Sequence, residues 1–148
     1  MEVHIYIEVD AVSTTENVRT YGYVIEAKRD GRTLKAVDGY GNVFATTRGT
    51  FIAAAAEALG RFKKAAVIHL HMADAWVLNC LGDQLDQWAV DGFTRKNGKE
   101  LRNREHWEKL HAAKAGLLVI PEAERYSEWS ARLKARIEEY KSKENEDV

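Results

Sequence analysis

One cysteine in 148 residues leaves no intrachain disulfide and no cysteine-rich zinc site to build the fold around. One proline, with no internal repeat or low-complexity tract, leaves no linker at which to divide the chain. No run approaches the ~20 apolar residues of a membrane span. The N-terminus lacks the basic-then-apolar order of a secretory signal, so cytoplasm is the expected compartment. Basic and acidic residues nearly cancel, 22 against 23, so no global field draws the chain to nucleic acid or membrane. Any polyanion site must come from local clustering. What is present is ordinary for a globular protein: 45% hydrophobic and 30% charged residues, at a length near the ~100–200 residues of one domain. The expectation is one domain over residues 1–140, with a charged tail, 141–148, that frays.

Periodicity then predicts the elements. HIYIEVDAV, residues 4–12, alternates and is rich in β-branched and aromatic residues, which marks a strand. Ile5, Ile7 and Val9 share one face, and Tyr6, Glu8 and Asp10 the other. Residues 20–28 and 33–41 are two more strands, joined through Asp-Gly as a hairpin, with GNVFATT extending the second across a glycine bulge. Residues 47–65 read as a helix with Phe51, Ala55, Ala58 and Phe62 at helical spacing and Thr47 as its cap. VIHLHM, 67–72, is a fourth strand reached by a crossover. Residues 73–90 are helical with a break near Gly82, 91–103 form a polar loop, and 104–116 form a helix ending on Gly116. LLVIP, 117–121, is a fifth strand, and Pro121 suits the first turn of a terminal helix. Tyr126, Trp129, Leu133, Ile137 and Tyr140 form that helix's apolar stripe. The order βββαβααβα implies an α/β fold, one mixed sheet flanked by helices.

Four stretches in that order resemble the ribonuclease H family. IYIEVDA stands in place of the family's first strand, and TTRGTFIAAAAEAL in place of its first helix, with Arg48 matching the arginine of that helix's entry motif. VIHLHMADAWV resembles the fourth strand and its Asp-Ser-x-Tyr-Val end, with Trp76 in the tyrosine's position. QWAVDGFTRKNGKELRNREHWEKL, residues 87–110, is similar to the Trp-bearing basic protrusion and the helix after it, with Asn103, Glu105, Trp107 and Leu110 in the motif places. The resemblance covers residues 3–135 and implies a five-stranded mixed sheet, order 3-2-1-4-5, with helices on both faces. It also implies cleavage of the RNA strand of RNA–DNA hybrids by two divalent metals held on four carboxylates. Two such metals at ~3.5–4 Å need several hard oxygen ligands on rigid elements.

Laid on this sequence, those four carboxylate positions fall on Glu8, Thr50, Ala73 and Ser127, and the family's loop histidine has no counterpart. Asp74 and Glu128 each stand one residue late, and Asp10 shares a face with Glu8. A one-residue displacement on a helix turns a side chain by about 100°. Glu8 and Asp10 read either as metal ligands or as a solvated strand end, and Asp74 as a ligand or as a helix N-cap. His69 and His71 share a strand face, as ligands to a transition metal or as polar residues on its less buried side; His4 joins them if the first and fourth strands are neighbours.

The loop 94–104 carries Arg95, Lys96, Lys99, Arg102 and Arg104 against Glu100, a local balance of +4, and follows Trp88 and Phe93. That combination suits phosphates and stacked bases. Two readings follow. In one, the chain has a degenerate ribonuclease H site and binds RNA–DNA hybrid or duplex through this loop, or serves as a protein-interaction module or homodimer. In the other, it is a divergent Mg²⁺- or Mn²⁺-dependent ribonuclease H with Glu8, Asp10 and Asp74 as catalytic metal ligands. Loss of acids at 50 and 73 favours the first, because electrostatic stabilisation is usually the largest catalytic term.

Overall fold

Alternation along the first strand decides the layers. In the computed structural model, which describes residues 1–146, β1 runs Glu2–Val9 and buries Ile5, Ile7 and Val9 in one core, while Tyr6 enters a second core on the opposite face. β2 (Asn17–Arg29) and β3 (Arg32–Ala45) turn through Asp30 and Gly31, at φ of 52° and 76°. Two consecutive positive φ values are what a two-residue hairpin of right twist requires. β3 continues through Gly41 without a bulge; the irregularity in this pair lies at Ala27/Lys28. Gly41 serves a different end, since the ring of Tyr21 lies where its Cβ would stand.

The remaining elements are α1 (Thr47–Leu59), β4 (Ala66–Met72), α2 (Ala75–Asp83), α3 (Leu85–Val90), α4 (Arg104–Ala113), β5 (Leu117–Ala123) and α5 (Ser130–Glu146). All five strands form one mixed sheet in the order β3-β2-β1-β4-β5. β1 pairs antiparallel with β2 and parallel with β4, and β4 pairs parallel with β5. The α/β class and the 3-2-1-4-5 order are those expected.

Helices cover both faces. α1 lays Ile52, Ala54, Ala55, Ala58 and Leu59 on the Ile5–Ile7 face, joined there by Trp107 and Leu110 of α4. Its run of alanines lets the helix approach the sheet closely. On the other face Leu133 of α5 and the adjacent Trp129 pack on Tyr6 and Val24. Each fully buried aliphatic side chain stabilises the fold by ~1.5–3 kcal/mol. Ile137 is buried and Tyr140 stacks on Tyr40, so the terminal stripe packs inward along α5. Tyr126 leaves it, at 71% exposure.

Two local expectations are corrected. The cap of α1 is Thr46, whose Oγ1 accepts from Gly49 N, rather than Thr47. Thr47 instead pins the loop after β1, accepting from Ser13 N and donating to Ala11 O. Pro121 lies within β5 rather than at a helix start, which an edge strand tolerates because its outer N–H has no partner to lose. The break between α2 and α3 falls at Gln84, two residues past Gly82. α5 continues as helix to Glu146; residues 147 and 148 of the expected frayed tail lie outside the described residues. Among the described residues no helix is long and apolar enough to cross a membrane.

Candidate functional site

The N-terminus of α1, the corner between β4 and α2, and the loop before α4 converge on one groove of about 580 Å³. Its chemistry comes from five side chains, Arg48, Trp76, Trp88, Arg95 and Arg102. Arg48 lies over the ring of Trp76, 4.4 Å from its centroid. A cation held over an indole face is attracted by the ring's quadrupole. Trp76 and Trp88 both meet the buried Trp107 edge-on, at 6.1 and 5.2 Å between centroids. One core indole therefore orients two partly exposed ones.

The basic loop is itself ordered. Arg95 N donates to Lys99 O and Gly98 N to Arg95 O, closing a tight turn at Gly98, where φ is 81°. Leu101 N then donates to Phe93 O, returning the chain to α4. Asn103, the residue before α4, adopts φ of 61° and places Oδ1 against the backbone of Gly49. α4 and the entry of α1 thus meet through a position where any side chain would crowd.

The expected nucleic-acid set divides on this geometry. Arg95 and Arg102 line the groove with Trp88, and Lys96 lines a neighbouring depression that shares Trp88 and Arg95. Lys99 is exposed on the turn. Arg104 points to carboxylates, 3.1 Å from Glu100 and 2.7 Å from Glu108, so its charge is already compensated. Arg48 and Trp76 were visible in the sequence as motif positions, but nothing in their spacing placed them beside the loop.

Of the carboxylates, Asp74 lines this groove, whereas Glu8, Asp10 and Glu128 lie outside it; all four hold protein partners. Glu8 faces α5: its Oε2 accepts from Ser130 Oγ at 2.9 Å, and Lys134 Nζ stands 3.8 Å from Oε1. Burial pushes the Glu8 carboxyl up from its ordinary range, against the opposing pull of Ser130 and Lys134. Asp10 sits 3.3 Å from Lys141 Nζ through Oδ2, while its buried Oδ1 has no hydrogen-bond partner. Asp74 caps α2, accepting from Val77 N at 3.1 Å, and its other oxygen accepts from Arg48 Nε at 3.0 Å. Glu128 accepts from Tyr6 Oη and from Lys28 Nζ. Thr50 is fully buried, its hydroxyl donating to Thr46 O.

No protein-family model and no curated protein matches the chain. Solved structures do. A foamy viral protease–reverse transcriptase in complex with dsDNA superposes with a TM-score of 0.71 over 93% of this chain and 92% of that chain, at 12% identity. LC9-RNase H1, a type 1 RNase H with the type 2 active-site motif, gives a TM-score of 0.67 over 95% of this chain and 71% of that one, at 17% identity. A foamy viral protease–reverse transcriptase in complex with an RNA/DNA hybrid gives 0.66 over 93% of this chain at 11% identity; the chain spans 19% of that protein's length. The fold is that of ribonuclease H. The fold family implies two divalent metals, and among the described residues Glu8, Asp10 and Asp74 are not brought together as one ligand group. Glu8 and Asp10 are directed to lysines of α5 and Asp74 to Arg48 and the α2 cap, on different elements. Among the described residues the one group of three or more His, Cys, Asp or Glu with ligand atoms within 4.8 Å of one another is Glu2, His4 and His69.

Proposed function

We propose that this chain binds RNA–DNA hybrid or duplex nucleic acid in the groove between α1, α2 and the 94–104 loop, and does so without cleaving it. The observation that carries this reading is the convergence of Arg48, Arg95 and Arg102 with Trp76 and Trp88 on one open surface. Guanidinium groups bind phosphates bidentately, and partly exposed indoles give sugars and bases a flat apolar surface. The foamy viral enzymes of the same fold, solved with an RNA/DNA hybrid and with dsDNA, support the choice of ligand. Affinity is expected to be salt-dependent and largely independent of sequence, since phosphates carry no sequence information.

A second reading, a divergent Mg²⁺- or Mn²⁺-dependent ribonuclease H using Glu8, Asp10 and Asp74, draws on the unpartnered Oδ1 of Asp10. The two separate in one assay. A labelled RNA–DNA hybrid is incubated with the protein in Mg²⁺ and in Mn²⁺, beside a Glu8→Ala/Asp74→Ala variant. Binding without cleavage is expected for both proteins. Cleavage by the wild type that disappears in the variant would overturn the binding-only reading.

A further inference from the structure

The parallel pairing of β1 with β4 sets His4 beside His69 in register, and the same sheet face carries His71. The rings of His4 and His69 stack with centroids 4.7 Å apart. Each histidine of β4 has one nitrogen held by a carboxylate in β5 or just beyond it. His69 Nδ1 lies 3.0 Å from Glu122 Oε1, and His71 Nδ1 lies 2.6 Å from Glu124 Oε1. A carboxylate only accepts, so both Nδ1 atoms carry the proton, and in the uncharged ring Nε2 is a lone pair.

This assignment propagates to β1. His71 Nε2 lies 2.8 Å from His4 Nδ1, which must therefore donate to it. His4 is left with its Nε2 as a lone pair, and that atom is buried with no hydrogen-bond partner. A protonated Nε2 there would be a buried donor without an acceptor, since the nearest carboxylate, Glu2, stands 3.7 Å away. That separation is too long for a hydrogen bond, yet close to the ~3.4 Å between two ligands that each lie ~2.0–2.1 Å from a tetrahedral ion. Ligand atoms of Glu2, His4 and His69 all fall within 4.8 Å of one another.

We propose that Glu2, His4 and His69 form a transition-metal site, with Zn²⁺ as the reference ion, bound through the two Nε2 atoms and the Glu2 carboxylate. Two imidazoles and one carboxylate leave a fourth position open to water or a ligand, the donor set of an open zinc site. Glu122 orients His69 directly, and Glu124 orients His4 through His71, the outer-shell arrangement that fixes tautomer and raises ligand basicity. The site is distinct from the Glu8–Asp10 end of β1. Four residues of strand separate His4 from Glu8, about 13 Å at ~3.3 Å per residue. Imidazole nitrogens also select transition metals over Mg²⁺.

The test is titration of the EDTA-stripped 148-residue chain with Zn²⁺ alone, by calorimetry. One ion per chain is expected. His4→Ala and His69→Ala are expected to weaken binding by a hundredfold or more, and Glu122→Gln by about 10–100-fold. His106→Ala and His111→Ala should leave it unchanged. Folding of each metal-free variant is checked by circular dichroism. Should His4→Ala unfold, ¹⁵N spectra of the wild-type imidazoles keep the question open to refutation. Zn²⁺ must then shift Nε2 of His4 and His69 while their Nδ1 atoms stay protonated. No binding, affinity within twofold of wild type in His69→Ala, or shifts confined to His106 and His111 would each overturn the site.

Discussion

At the scale of single residues, Asp74 separates binding from catalysis. It caps α2 and orients Arg48, and neither task needs a metal. Asp74→Ala is expected to cost about 1 kcal/mol in denaturant unfolding, the usual worth of an N-cap carboxylate. It should leave hybrid affinity within about twofold or raise it, because Arg48 is released toward the groove. A severalfold loss of affinity would mean that Arg48 acts only when held by Asp74. His106 supplies a test by titration. Burial lowers its pKa below the ordinary value, so between the two values the unfolded chain binds more protons than the folded one. Stability contributed by the neutral ring is therefore complete above about pH 6.5 and is lost as the pH falls below it. The drop in unfolding midpoint from pH 7.5 to 5.5 is expected to be smaller in His106→Gln than in wild type; equal drops would show that His106 does not report burial. Cys80 needs no such account, since burial pushes its thiol up to about 11 and leaves it inert as a nucleophile.

At the scale of elements, the seam between α1 and α4 holds the groove open. Gly49 is buried, and a Cβ there would stand 2.7 Å from Asn103 Oδ1 and 3.0 Å from Ala45 Cβ. Gly49→Ala gains about 1 kcal/mol of helix propensity but overpacks the seam, at ~1–3 kcal/mol. A net loss of about 1 kcal/mol is expected, with amide shifts concentrated at Asn103 and the 94–104 loop in NMR spectra. A stabilised variant with an undisturbed loop would show that the seam has slack. Most of the sheet is legible in the sequence, because alternation over Ile5–Val9 and the Asp30–Gly31 turn leave few other pairings. The strand position of Pro121 is not legible in the sequence, because its permissibility depends on β5 being an edge, which only the assembled sheet reveals. Thr46 and Thr47 are chemically alike, so spacing alone could not choose the cap. The site was legible in part. The loop's arginines and Trp88 stood out by composition, whereas Arg48 and Trp76 join them only through Trp107, far along the chain. Face-sharing put Glu8 with Asp10 correctly, but the lysines of α5 that meet them lie more than 120 residues away.

At the scale of the whole molecule, near-neutral net charge and a basic groove are compatible because the charge is segregated. The loop balance of +4 is offset by −3 over the C-terminal residues 138–148. Attraction to a polyanion is then local and short-ranged, within a screening length of about 8–10 Å at physiological salt. The ribonuclease H-like scaffold supplies the groove at the ends of α1 and α2. At two of the positions where the resemblance lays that scaffold's carboxylates, Thr50 is packed in the core and Glu8 is paired with α5. The measurement closest to the central claim is the anisotropy of a labelled RNA–DNA hybrid titrated with wild type and with Arg95→Glu/Arg102→Glu, across a salt series. The account expects the variant to bind at least tenfold more weakly at low salt, with a log–log salt slope shallower by about two. Equal affinity and equal slope in the two proteins would contradict it.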